Sequence, residues 1–104
     1  MMLLTTTDII PGRNYEILGL VKGNMIKTKH IGKDIGAGLK SIVGGELRSY
    51  TDMMNEARAE ATKRMVEEAV SMGADAIVCV RYTSADVLQG SAEILAFGTA
   101  VRFV

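Results

Sequence analysis

Between Ser49 and Met72 the chain carries no glycine and no proline, and glycine returns at Gly73. So long a run of helix-compatible residues predicts one long α-helix, and the rest of the chain must fold around it. Ser49 offers an N-cap oxygen, with Asp52 three residues on, and Gly73 stands where a left-handed C-cap belongs. Tyr50, Met54, Ala57, Ala61, Met65 and Met72 recur at helical spacing and form the expected core stripe. Glu60 and Arg64 are spaced to pair on a solvated flank. Ala59, Val66 and Val70 make a smaller apolar ridge on roughly the opposite side. A helix lying on its own sheet needs one stripe, so this ridge is expected to meet a second partner.

The segments on either side of the helix read as strands. Met2 to Ile10 is a short strand interrupted by Thr5-Thr6-Thr7-Asp8, and Pro11-Gly12 is a turn signal. Tyr15 to Lys29 is rich in β-formers, and Gly19 and Gly23 inside it point to a bulge or a close backbone approach. Ala74 to Ser84 holds a continuous apolar run, the pattern of a strand buried on both faces. Ser91 to Val104 alternates, and residues 86–90 would connect the last two strands. Leu95, Phe97, Thr99, Val101 and Phe103 form its bulky face, expected to sit under the helix. Ala92, Ile94, Ala96, Gly98 and Ala100 form a small-residue face, expected to pack closely on another sheet or subunit.

A chain of 104 residues holds one domain, spanning 1–104. Aromatics are only 5% and Trp is absent, so aliphatic residues and Met must supply the core and self-association gains value. Twelve basic and twelve acidic residues cancel, which argues against a nucleic-acid partner and an anionic membrane surface. The single Cys79 excludes an internal disulfide and fits a reducing cytoplasm. No run approaches the roughly 20 apolar residues of a membrane span, and MMLLTTTDIIPG lacks the features of a signal peptide.

The glycine-rich stretch IGKDIGAGLKSIVGGELRSY raises the question of a phosphate cradle. A P-loop requires glycine before its lysine, where Leu39 stands, and Asp34 occupies the place of the first glycine. A dinucleotide fingerprint fits Gly36 and Gly38, but Ser41 replaces the third glycine. The stretch therefore reads as a loop with a short helix over Lys33 to Val43, ended by Gly44-Gly45. His30 and Cys79 show no metal-ligand spacing. Asp34, Glu46, Asp52, Glu56 and Asp86 are scattered, with nothing pairing them into an acid and a base. Arg58 borders the core stripe and is read as anchoring a carboxylate such as Glu46, or as holding an anion.

Three segments in order, VGGELRSYTDMMNEARAEA, MGADAIVCVRY and FGTAV, together with the early TTT, resemble the YbjQ-like family over nearly the whole chain. That resemblance implies a dodecin-like α+β fold, a long helix on an antiparallel sheet, and assembly into a homopentamer. The family carries a heavy-metal-binding label, but no multi-Cys or multi-His motif here explains it, so no metal site and no cofactor is assigned. The chain is expected to be a cytoplasmic homo-oligomeric binding or scaffold protein, with a weak metal ion as the family-suggested ligand. A small-molecule or anion sensor with a pocket at the subunit boundary is the alternative, and an enzyme with a shared site, using Glu46, Asp52 or His30, is a further one. Gly44, Gly45, Glu46 and Arg58 are the candidate ligand residues. Ala59, Val66, Val70, Ala96, Gly98 and Ala100 are the candidate contacts between copies.

Overall fold

The computed structural model describes residues 2–28, 50–86 and 91–104, and the backbone alone of 45–49. Strand β1 (Leu3–Leu4) is followed by β2 (Tyr15–Thr28), helix α1 (Gly45–Ser71), β3 (Ala76–Asp86) and β4 (Ser91–Phe103). The strands form a four-stranded sheet in the order β1-β3-β4-β2. β3 and β2 each pair antiparallel with β4, whereas β1 pairs parallel with β3. The sheet is thus mixed rather than antiparallel throughout, because β1 reaches β3 through the long crossover that parallel pairing needs. The expected helix over Lys33 to Val43 lies outside the described residues.

α1 begins at Gly45, so Ser49 lies inside the helix rather than capping it. Glu46, Leu47 and Arg48 are good helix formers, and their propensity carries the helix past the cap signal. The other end follows expectation. Gly73 takes φ +80°, its N–H donates to Val70 O (3.0 Å), and Ala74 N–H donates to Ala69 O (3.1 Å). That reciprocal pair satisfies two of the last free carbonyls of the helix.

α1 lies across β2 and β4 and only grazes β3. Ala57, Ala61, Met65 and Ala69 pack beneath it with Val21, Ile77, Val80, Ile94, Ala96 and Ala100. This reverses the expected faces of β4. The small-residue face lies under the helix, and Leu95, Phe97 and Thr99 are on the other side, half-buried. The reason is proximity: a Cβ at Gly23 would sit 2.2 Å from Ala61 O and 2.4 Å from Met65 N. Where Gly23 crosses under the helix there is no room for a side chain, and the small residues of β4 continue that close approach. Tyr50 and Met72, at the ends of the expected stripe, are exposed, and Ala69 joins the core instead.

The run in β3 is buried on both faces as expected, with Ile77 and Val80 toward α1 and Ala76 and Val78 on the far side. There Ile10 and Val101 complete a second cluster, edged by Tyr15, Cys79 and Phe103. Gly19 sits at a bulge in β2 with φ +154°, as its position in the strand predicts.

Candidate functional site: the threonine turn beside Tyr82

After β1 the chain turns through Thr5, Thr6 and Thr7 and stays beside β3. Cys79 N–H donates to Thr7 O (3.1 Å) and Val80 N–H to Thr5 O (2.9 Å). At this point β3 bulges. Val78 pairs with Thr99 and Arg81 with Phe97, so Cys79 and Val80 together face Gly98. Cys79 takes φ +55°, a left-handed conformation that costs a side-chain-bearing residue roughly 1–2 kcal/mol. The bulge aims two backbone N–H groups at the turn, and those bonds offset the cost. Arg81 Nη1 closes the arrangement by donating to Thr6 O and to Val80 O (both 2.9 Å).

A shallow cavity of about 190 Å³ opens beside the turn, lined by Leu4, Thr5, Thr6, Val80 and Tyr82. The direction of its hydrogen bonds can be worked out. Thr62 O–H donates to the Arg58 carbonyl (2.8 Å), so the proton between Thr62 and Tyr82 (2.8 Å) belongs to Tyr82. Likewise Thr7 O–H donates to Ile9 O (3.1 Å), so Thr5 O–H donates to Thr7 Oγ1 (2.8 Å), while Thr5 Oγ1 accepts from Thr7 N–H (3.2 Å). Tyr82 Oη and Thr5 Oγ1 therefore offer lone pairs and no proton. With Leu4 and Val80 beside them, they suit a small group with an N–H or O–H donor and an apolar body. Thr6 is the one lining hydroxyl whose proton is not already engaged, so the arrangement suits a carboxylate or phosphate, which needs several donors, less well.

The sequence-derived candidates fall elsewhere. Gly44 and the side chain of Glu46 lie outside the described residues, as does His30, and Gly45 opens α1. Arg58 is exposed and donates to Asn55 Oδ1 (2.8 Å) on its own helix. Arg64 pairs with Glu60 as its spacing predicts (3.3 Å) and also reaches Asn24 O (2.7 Å). Of the expected contacts between copies, Ala59 and Val70 are exposed and Val66 is half-buried against the core. Ala96, Gly98 and Ala100 are buried inside the chain and have no surface to give a neighbour. The turn itself was visible only as a polar interruption, Thr5-Thr6-Thr7-Asp8, in an apolar segment. Nothing in the sequence linked it to Tyr82 or to a bulge at Cys79.

A heavy-metal ion does not fit the donors that the described residues bring together. Among the described residues no group of three or more His, Cys, Asp or Glu side chains converges. The one thiol, Cys79, is half-buried beside the apolar cluster of Ile10, Val78 and Val101, with no second soft ligand in that cluster.

Comparison with known proteins places the fold. The profile of the YbjQ family, described as "Putative heavy-metal-binding", matches residues 2–104. The chain belongs to the YbjQ family. It is 60% identical to a UPF0145 protein of Vibrio parahaemolyticus, over 99% of both chains. It is 58% identical to one of Alkaliphilus metalliredigens, over 99% of this chain and 100% of that one. A UPF0145 protein of Archaeoglobus fulgidus is 55% identical over 97% of this chain and 94% of its own. Among solved structures, a protein of unknown function of the DUF74 family from Pediococcus pentosaceus superposes with a TM-score of 0.68. It covers 99% of this chain and 98% of its own at 17% identity, which carries the α+β fold and no activity. No helix among the described residues of this YbjQ-family chain is long and apolar enough to cross a membrane.

Proposed function

We propose that this YbjQ-family chain is the subunit of a homo-oligomeric binding or scaffold protein, five copies being the order its family resemblance implies. The observation that carries this reading is the uncovered apolar surface. α1 occupies one face of the sheet; on the other, Ile17 and Leu20 are each 70% exposed and Ile26 is 51% exposed. Half-buried Leu95 and Phe97 lie between them and β3 on the same face. Val70, 60% exposed on the helix, adds a second patch on a different side. Two separate patches suit a head-to-tail contact, which closes into a ring, better than a two-fold contact through a single patch.

The family label points to a metal ion as ligand. Since the described donors of one chain form no ligand set, such an ion would be shared between copies and bound weakly. The alternative, a small-molecule sensor, draws on the cavity beside Tyr82, whose acceptor oxygens favour a donor-bearing molecule over an anion.

Leu20→Glu tests the assembly reading. It places a charge on the open sheet face, so the variant should keep its far-ultraviolet circular dichroism and lose subunits in light scattering after size exclusion. An unchanged mass would exclude that face from the contact. Titration calorimetry with zinc and copper ions tests the shared-metal reading, which requires no more than one ion per chain and loss of binding in a Leu20→Glu variant that no longer assembles.

A further inference from the structure

The helix covers its side of the sheet unevenly. α1 lies across β2 and β4 and only grazes β3, so among the described residues the β1–β3 edge is left largely bare on that side. Leu4 shares the face of Ile77, and Tyr82 the face of Ala96, and both partners pack toward α1. The cavity beside the threonine turn therefore belongs to the helix side of the sheet, at its β1–β3 edge. Thr62, half-buried on α1, holds the Tyr82 hydroxyl there (2.8 Å). Sites for drug-sized ligands measure roughly 300–1,000 Å³. A cavity of about 190 Å³ takes something smaller, a polar head on a body of a few carbons.

The lining hydroxyls select the head. Tyr82 gives its proton to Thr62 and Thr5 gives its own to Thr7, so Tyr82 Oη and Thr5 Oγ1 present two acceptors. The exposed Thr6 is the lining hydroxyl with a proton still to give. Two acceptors and one donor complement a primary carboxamide, whose NH2 group donates twice and whose carbonyl accepts. An ammonium group also has the donors, but no carboxylate lines the cavity. The Arg81 guanidinium, moreover, lies 2.9 Å from the carbonyls of Thr6 and Val80, and both residues line it. A carboxylate would set its lone pairs against those of Tyr82 and Thr5, with only Thr6 to satisfy it.

We infer that the cavity beside Tyr82 binds a neutral small molecule carrying a primary carboxamide on a short apolar body. This rests on the small-molecule reading above and names its ligand class. Tyr82 and Thr5 select the NH2 group, Thr6 takes the carbonyl, and Leu4 and Val80 meet the apolar body. Thr62 is a positioning residue that acts through Tyr82. Because its own proton is committed to the Arg58 carbonyl, it must accept the phenolic proton, which keeps Tyr82 Oη an acceptor.

The test titrates isobutyramide, methyl isopropyl ketone and isobutyrate into the full-length protein at neutral pH. The three share one apolar body and differ in the head. Binding is read by NMR at the backbone N–H signals of Thr5, Thr6 and Tyr82. Isobutyramide should shift these signals saturably in the millimolar range, and bind at least about ten-fold more tightly than the ketone or the carboxylate. Tyr82→Phe should weaken isobutyramide by about ten-fold. Thr62→Val removes the acceptor and frees the phenolic proton, so the ketone should bind more tightly than it does to the unmodified protein, and the preference for isobutyramide should shrink. A merely structural role for Thr62 would weaken both. Ketone or carboxylate binding at these signals as tightly as isobutyramide overturns the carboxamide and leaves the small-molecule reading standing. No saturable shift with any of the three overturns both.

Discussion

Gly23 decides how closely helix and sheet approach. Its missing Cβ would meet the backbone of Ala61 and Met65 and the Arg64 side chain, and helix backbone cannot swing aside as a side-chain tip can. Gly23→Ala should lift α1 from β2 and lower stability by about 3 kcal/mol, read by urea denaturation. A loss below half a kcal/mol would mean the helix sits farther off than the structure shows. At Gly12, by contrast, an added Cβ meets nothing, and only the left-handed φ of +77° opposes it. Such close approaches were legible in the sequence as a type of residue and not as a partner. Gly19 and Gly23 marked a bulge or a close contact, and both occur. Ala96, Gly98 and Ala100 marked close packing, but alternation gives two faces without saying which one the helix chooses. Arg58 likewise stood out by its place beside the stripe, whereas its hydrogen bond stays within the helix.

At the scale of elements, α1 both covers the core and finishes the β2 edge. Glu68 and Arg64 sit on one flank of the helix and reach Lys22 N–H and Asn24 O. Glu68→Ala should leave the core intact and speed amide exchange at Lys22 by about ten-fold, measured residue by residue by NMR. Unchanged exchange there would show that the edge is protected by something other than the helix. The helix and the three long strands were readable from periodicity and from the glycines at their ends. The parallel pairing of β1, the bulge at Cys79 and the ordered hydroxyls of Thr5, Thr7, Thr62 and Tyr82 were not. They depend on contacts between segments far apart in the chain, which no local pattern encodes.

The described part of the molecule is long and thin, 57 × 22 × 20 Å, with a radius of gyration of 17.3 Å. A compact domain of this length has about 13 Å. Among the described residues, one helix on a four-stranded sheet leaves the other face without a layer, and the exposed Ile17, Leu20 and Ile26 lie there. A small domain with such a face gains burial by meeting its own copies. The direct measurement is native mass spectrometry of the untagged protein, released gently enough to keep bound ions and small molecules. The account predicts a closed assembly of five chains, with any metal present at no more than one ion per chain. A clean monomer across micromolar concentrations would contradict it, and would mean that the open sheet face is stable in water on its own.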